Sequence, residues 1–480
     1  MNIYIKNIRE EECVCDALVL PVTEDDSTFY AKRIPPVYKP FKKISPGEFK
    51  GRQNEILLIP APEEIKPGKL IFVGLGNKDQ VTSEKVRQAG GKAAAYLRER
   101  GMKKVALSSG LLSSLKLKPA DFVEGALLGL YTFNKYRAGI NNKIDNITLI
   151  SEASKALQDE LRRIRIVSSS VNFARDLINA PSNDMTPSTI AKTALSLKGR
   201  NVSVRILERR DARKLGMGAY LSVARGSKEP PKFIVLNYRG AKGAPLVLIG
   251  KSITFDSGGI SLKPADGMEK MKYDMAGGAI VLGVIKAVSE LKMPVNLVGI
   301  LPATENLPGG SATKPGDVVR AINGKTIEII NTDAEGRLII ADAIGYSVRF
   351  KPRAIIDIAT LTGACSVALG NEAVAMMGND RLLLEKMKKS ADNTYERVWE
   401  MPLFEEYKEY LKSDIADIKN TGGKNGSLVT SAYFLYEFAG KVPWVHLDIA
   451  GISWVEKDKP YMPKGASGTG VRLLTDFIGS

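Results

Sequence analysis

Short apolar runs, each stopped by a glycine or an acid-bearing turn and followed by helical spacing, constrain this chain more than any other feature. Runs without polar alternation need apolar neighbours on both faces, as in a strand inside a helix-covered sheet. Segments 246–250 (LVLIG), 295–301 (VNLVGIL), 327–330 (IEII), 354–359 (AIIDIA) and 444–449 (WVHLDI) have this character. Helical spacing marks 276–291 and 338–350 between them. The first third repeats the theme, with strands expected at 16–21, 55–59, 70–73 and 105–107 and a helix over 83–100. Such alternation predicts an α/β fold. At 480 residues the chain exceeds one ordinary core, so two domains are expected. A long, charged helical stretch over 154–177 ends at Asn179-Ala180-Pro181-Ser182-Asn183, and the boundary is placed near residue 165. Residues 1–165 then form an N-terminal α/β domain and residues 166–480 a larger second one.

Several classes are excluded. No apolar run approaches the ~20 residues that span a bilayer. The first twenty residues carry acids where an export signal wants an apolar core, which predicts a cytoplasmic protein without membrane partners. The three cysteines are too few for a disulfide framework and read as reduced. Cys13 and Cys15, on an apparent strand, are expected to point to opposite faces. Gly74-Leu75-Gly76 follows a strand but lacks the third glycine of a dinucleotide fingerprint, since Lys78 and Gln80 follow; it reads as a tight turn. Net charge is +16. The basic residues are scattered in pairs (Lys42-Lys43, Lys103-Lys104, Arg162-Arg163, Arg209-Arg210, Lys388-Lys389) without a nucleic-acid motif, so a solvated lysine-rich surface is the favoured reading. DNA stays open as a second partner.

Chemistry concentrates in three segments. The first is GKSITFDSGG (250–259), continuing to Lys263; the second is KYDMAGG (272–278); the third is NTDAEGRL (331–338). Each is expected just past a strand, where open α/β sheets bind ligands. Asp333 and Glu335 alone could be helix-capping acids. Together with Asp256 and Asp274 they make four carboxylates in glycine-rich surroundings. Four such groups in one cleft repel unless cations neutralise them. Ligation by oxygen suits Mn²⁺, Mg²⁺ or Zn²⁺. The only histidine, His446, lies in an apolar strand and reads as packed or supporting, which removes histidine-based zinc sites. Cys365 has no neighbouring histidine to activate it. Lys251 and Lys263 are either surface lysines or participants: a lysine beside two cations would be pushed down in pKa, and one further away could stay protonated and hold an oxyanion.

These residues resemble a known family. NTDAEGRL is similar to the signature of the leucyl (cytosol) aminopeptidases, dinuclear metallopeptidases. GKSITFDSGG resembles their metal-binding loop, with Ser252 where glycine is usual. Lys263, Asp274, TLTGA (360–364), HLDIAG (446–451) and NAPSNDMTP (179–187) also fit, from about residue 165 onward. The resemblance implies that Lys251, Asp256, Asp274 and Glu335 hold a tighter metal, and that Asp256, Asp333 and Glu335 hold a more exchangeable one. It implies Lys263 as the group that polarises the scissile carbonyl and Arg337 as the holder of a bicarbonate acting as general base. Met271, Asn331, Thr360, Leu361, Gly363 and Ala450 would line an apolar pocket for a leucine-like side chain. It further implies a smaller macro-domain-like N-terminal α/β domain, a catalytic domain with a mixed central sheet flanked by helices, and a homohexamer. The expected reaction is hydrolysis of the N-terminal residue of a peptide by a water bridging two divalent cations. A two-metal phosphoesterase, a nonenzymatic DNA-binding regulator and an inactive homologue are the competing readings.

Overall fold

The computed structural model describes residues 1–24, 49–138 and 143–480; the Lys42-Lys43 pair lies outside them. The chain divides into two compact units. One comprises Met1–Ser169 with Glu456–Lys464, the other Ser170–Val455 with Gly465–Ser480.

The first unit is built on β1 (Asn2–Lys6), β2 (Ala17–Val22), β3 (Ile56–Pro60), β4 (Lys69–Gly74), β5 (Lys104–Ser108) and β6 (Asn146–Ile150). Their order is β1-β6-β5-β2-β4-β3, with β3 alone antiparallel to its neighbour. β2 is buried along its whole length, as its unbroken apolar run requires. Helices Ser83–Glu99 and Pro119–Gly129 pack so closely that a Cβ on Gly125 would stand 1.8 Å from the Arg87 carbonyl oxygen. At their interface the buried Arg87 pairs with Glu84 and Glu124 at 2.6 Å each and with Asp121 at 3.3 Å.

One expectation is corrected here. Cys13 and Cys15 precede β2 and lie in one apolar cluster with Leu18, Leu20 and Phe72. The two thiols influence each other, which draws Cys13 down to about 7 and pushes Cys15 up. Positions two apart share a face of an extended chain, so opposite faces were the wrong expectation.

The second unit is built on β7 (Val202–Leu207), β8 (Lys232–Arg239), β9 (Leu246–Gly250), β10 (Ser252–Asp256), β11 (Asn296–Asn306), β12 (Val318–Arg320), β13 (Thr326–Glu328), β14 (Ala354–Ala359), β15 (Val374–Gly378), β16 (Val398–Glu400), β17 (Ile418–Lys419) and β18 (Trp444–Asp448), followed by β19 (Trp454–Val455) and β20 (Gly465–Ala466). The main sheet runs β16-β15-β18-β14-β9-β11-β8-β7, with β10 joined to β11. It is mixed. β18, β14, β9 and β11 run parallel, whereas β15 against β18 and β8 against β11 and β7 are antiparallel. Val247, Ile249, Val298, Ile300 and Ile355 share an apolar cluster with Leu338, Ile340 and Ile344 of helix Gly336–Ser347. Helix Ala276–Leu291 also packs on β9, β11 and β14.

The segment 327–330 departs from expectation. Only Thr326–Glu328 is extended, in a small separate sheet β12-β13-β17, and Ile330 is exposed. Its apolar residues turn inward at Ile327 and Ile329 only, so the run serves a short ribbon beside the site.

Candidate active site

The parallel strands deliver the functional groups at their carboxyl ends. Lys251 follows β9, Asp256 closes β10, Asn306 closes β11, Thr360 follows β14 and Asp448 closes β18. GKSITFDSGG is therefore largely a strand, where a loop was expected. The β10–β11 register shifts between Ile253 and Asp256, a bulge that re-aims the terminal carboxylate. Asp274 lies in a 3₁₀ segment, Met268–Met275, that runs into helix Ala276–Leu291, so no strand precedes it. Asp333 and Glu335 occupy the turn before helix Gly336–Ser347. Glu335 is the N-cap residue but makes no side-chain capping bond. Its carboxylate pairs with Lys251 instead, so capping does not account for its presence.

Those carboxylates meet. One oxygen each from Asp256, Asp333 and Glu335 lies within 4.8 Å of the others. Lys251 Nζ stands 2.8 Å from Asp274 Oδ2 and 2.9 Å from Glu335 Oε1, and it donates to the Thr360 carbonyl oxygen at 2.9 Å. Lys263 Nζ stands 2.8 Å from Asp256 Oδ2 and also contacts Asp333. Helix entry at Gly336 permits this closeness, since a Cβ there would stand 2.6 Å from Lys251 Cε. Ser252 is buried and donates to the Gly250 carbonyl oxygen at 2.9 Å, so the serine at the usual glycine position is satisfied locally.

The electrostatics follow from burial and crowding. Burial pushes Asp274, Asp333 and Glu335 above the ordinary carboxylate range, and mutual repulsion adds to it. Burial alone would lower both lysines. The surrounding carboxylates outweigh it and hold Lys251 and Lys263 above the ordinary lysine value. With the protein's own charges only, the expected depression of Lys251 is thus reversed; it requires cations nearby. Glu335 Oε2 is buried without a hydrogen-bond partner among the described residues. An unpartnered buried carboxylate oxygen within a triad of converging oxygens suits a hard or borderline divalent cation. The residues present fit such a group.

Other expected residues separate into two sets. Thr360 is integral, its hydroxyl donating to Asp274 Oδ1 at 2.6 Å. Leu361 and Ala450 are fixed together, both backbone N–H groups donating to Asp448 Oδ1 at 3.1 Å. Asn331 is exposed at the rim, and its side chain accepts from Asp333 N at 2.8 Å. Gly363 opens helix Gly363–Leu369, and a Cβ there would meet nothing within 4 Å. Met271 sits in the 3₁₀ segment without a hydrogen bond to the cluster among the described residues. Arg337 is buried and donates from Nη1 to the Asn420 carbonyl oxygen at 2.8 Å, while its Nε has no partner among the described residues. Burial draws Arg337 down to about 10 against the pull of Glu335, Asp448 and Asp333.

Three supporting residues escaped the sequence reading. Asn420, wholly buried, accepts from Ile330 N and donates to the Asn331 carbonyl oxygen at 2.7 Å, pinning the turn that carries Asp333 and Glu335. Asn306 donates to Asp256 Oδ1 at 2.8 Å and to the Thr332 carbonyl oxygen at 3.0 Å. Asp448 accepts from the Thr362 hydroxyl at 2.7 Å as well as from Leu361 and Ala450. Only Asp448 stood inside a recognisable motif; the asparagines act through chain-distant backbone that no local pattern signals. His446 is packed, its Nδ1 2.5 Å from Asp357 Oδ1 and its ring stacked on Trp444. Asp357 raises the imidazole against the opposing effect of burial. Cys365 is buried and pushed up to about 12, unsuited to a nucleophile.

Known proteins are similar to this chain in sequence and fold. The catalytic-domain model of the cytosol aminopeptidase family matches residues 172–475, and the N-terminal-domain model of that family matches residues 42–139. A probable cytosol aminopeptidase of Geotalea uraniireducens (strain Rf4) is 48% identical over 444 residues, covering 90% of this chain and 89% of the relative. One from Solibacter usitatus (strain Ellin6076) is 42% identical over 480 residues, covering 99% and 98%. Among solved structures, a mutant of tomato leucine aminopeptidase superposes with a TM-score of 0.89 at 32% identity, covering 100% of this chain and 96% of that one. The bottromycin maturation enzyme BotP in complex with Mn superposes with a TM-score of 0.87 at 28% identity, covering 97% and 99%. With its carboxylate cluster, its mixed sheet and both domain models in place, this chain belongs to the cytosol aminopeptidase family, metal-dependent hydrolases of the N-terminal peptide bond.

Proposed function

We propose that this enzyme removes leucine-like residues from the free N-terminus of peptides and amino-acid amides. The observation that carries the reading is the convergence of Asp256, Asp333 and Glu335 on one point, with Lys251 and Lys263 at its edges. Lys251, Asp256, Asp274 and Glu335 would hold a tighter cation, and Asp256, Asp333 and Glu335 a more exchangeable one, with Mn²⁺ or Zn²⁺ as the leading ions and Mg²⁺ as a further candidate. When bound, two such cations polarise the peptide carbonyl, lower the pKa of water held between them and accept a neutral α-amine. Lys263 keeps its proton and offers it as a positive charge to the developing oxyanion. Arg337, whose Nε has no partner among the described residues, would hold a bicarbonate, which would supply a general base for the water. Met271, Asn331, Thr360, Leu361, Gly363 and Ala450 form the wall beside the scissile bond, with Leu361 and Ala450 packed against the main core.

Catalysis belongs to residues 166–480 in this reading, and residues 1–165 serve assembly. A homohexamer is supported by large apolar side chains left exposed at Trp399, Phe404 and Ile415, each above half exposed. No described helix is long and apolar enough to cross a membrane, and a cytoplasmic setting with reduced thiols agrees with the free Cys13, Cys15 and Cys365. The net charge of +16 supports DNA binding as a second role, tested by a mobility shift that weakens steeply with salt.

The deciding experiment is hydrolysis of leucine p-nitroanilide with and without Mn²⁺, before and after chelation, for the natural chain and Asp333→Asn, with an N-acetylated control. Metal-dependent release from the free-amine substrate, lost in the variant, supports the reading. Hydrolysis of the acetylated compound, or none with any metal in folded, metal-loaded protein, overturns it. The substrate amine has to be neutral, so the rate climbs as pH rises through about 8.

A further inference from the structure

A cavity of about 550 Å³ opens in the second unit, and none of its lining residues belongs to the carboxylate cluster. Four arginines from separate places in the chain line it. Arg209 and Arg213 come from helix Arg209–Lys214, Arg225 follows helix Gly218–Val223, and Arg320 closes β12. No acidic residue lines it, and its apolar lining includes the half-buried Leu221, Val319 and Ile322, with Met217 wholly buried behind them.

These guanidiniums are little used by the protein itself. Arg209 Nη2 donates to the Ala224 carbonyl oxygen at 3.3 Å, and Arg320 Nη1 donates to the Gly324 carbonyl oxygen at 2.7 Å. Each guanidinium carries five donors, so most remain available. Arg225 has only a 4.0 Å contact with Asp317, whose charge is shared with Lys314 at 3.3 Å. The Arg213 guanidinium has no ion-pair or hydrogen-bond partner among the described residues. Asp317 near Arg225 and Asp417 near Arg320 offset only part of this positive charge, and an anion in the cavity would offset more.

The cavity is also pre-shaped. Asp342, wholly buried in helix Gly336–Ser347, accepts from Tyr220 N and from Ile322 N, both at 2.7 Å. One carboxylate therefore fixes the helix on one side of the cavity to the turn on the other. A ligand entering such a site pays little for ordering its walls.

We propose that this cavity binds a compact polyphosphate carried on an apolar body, with a nucleoside diphosphate as the matching class. Planar guanidiniums bind phosphate oxygens in pairs. Four of them around a small volume require several negative charges on adjacent atoms, which a diphosphate supplies and a stretched acidic peptide does not. The apolar lining receives the base.

The test is calorimetric titration of the full-length enzyme with ADP. It is compared with Arg213→Ala/Arg320→Ala and with a control, Arg162→Ala/Arg163→Ala, in the other unit. Both cavity arginines are exposed, so the variant should fold, and unchanged aminopeptidase activity will verify that. One ADP per chain is expected, with binding weakened at least about tenfold in the cavity variant and unaltered in the control. Hydrogen exchange should slow in residues 209–225 and 318–324. Chelation of active-site metal by ADP would weaken nothing in the cavity variant. Equal affinity in all three proteins, or no saturable binding, therefore overturns the proposal. N-acetyl-tetraglutamate binding as tightly as ADP would reject the phosphate assignment. Loss of duplex DNA binding in the cavity variant without ADP binding would reject a small-molecule site.

Discussion

Glu335 shows at the scale of single residues how a function displaces a local rule. A carboxylate at a helix start can satisfy backbone N–H groups or complement the helix dipole, yet this one makes no capping bond and buries an oxygen without a partner among the described residues. Three backbone-anchored asparagine and aspartate side chains keep the surrounding turns from relaxing around it. Asn420→Ala removes the pin on the 330–334 turn, and a loss of roughly 10–100-fold in metal affinity or activity is expected from a support of this kind. Titrating the variant with Mn²⁺ checks this, since a purely structural defect would lower its melting temperature without shifting the metal dissociation constant. Lys263→Met is expected to reduce kcat by roughly 10²–10³-fold with KM little altered, the mark of a charge used in the transition state. A KM effect alone would assign Lys263 to ground-state binding. The acids and lysines were legible in the sequence because each lay in a glycine-rich motif. Asn306 and Asn420 were not, because their partners are backbone atoms tens of residues away and the residue type alone carries no such message.

Secondary-structure elements were legible in proportion to their burial. LVLIG, AIIDIA and the helix over 276–291 lie at the bounds their apolar runs suggested, Leu246–Gly250, Ala354–Ala359 and Ala276–Leu291. The short ribbon β12-β13-β17 and the 3₁₀ segment Met268–Met275 were not, since neither buries a full face and both are shaped by contacts with distant chain. Helix Gly336–Ser347 is tied to the turn between β12 and β13 and to helix Gly218–Val223 through Asp342. Burial lifts that carboxyl to about 7 despite three backbone N–H donors that favour its charge. The folded protein therefore holds a proton that the unfolded chain, with an ordinary aspartate near 4, has already released. Stability from this residue is greatest below pH 4 and declines as pH rises from about 4 to about 7. Asp342→Ala strands two or more buried N–H groups and is expected to cost about 2–4 kcal/mol. The gap in melting temperature between the natural chain and the variant should be wider at pH 5 than at pH 8; a gap that widens at pH 8 would contradict the sign. In the first unit, Gly125→Ala would drive a Cβ into the Arg87 carbonyl and force apart the helices whose charges meet at Arg87. A loss of several kcal/mol is expected, on the order of 3, read from thermal melts.

At the scale of the molecule, the exposed aromatic side chains of 399–415 bear on assembly. If they lie in an interface of the proposed hexamer, the enzyme should run near six times the 52.2 kDa of one chain. Phe404→Glu, which would place a charge in that contact, should then shift the mass downward in light scattering. A single-chain mass for the natural protein would remove assembly from the account.

The short excursion Glu456–Lys464 has a consequence for inheritance. The chain leaves the first unit at residue 169, re-enters it for these nine residues and leaves again. Within that excursion Tyr461 donates its hydroxyl to Glu84 at 2.9 Å, and a Cβ on Gly91 would stand 2.4 Å from the Pro460 carbonyl oxygen. No single crossover in the gene could therefore exchange the N-terminal unit whole. A recombinant joined near residue 169 would inherit a first unit from one parent and its clasp from the other, so the two segments are bound to change in step across lineages although nearly three hundred codons lie between them.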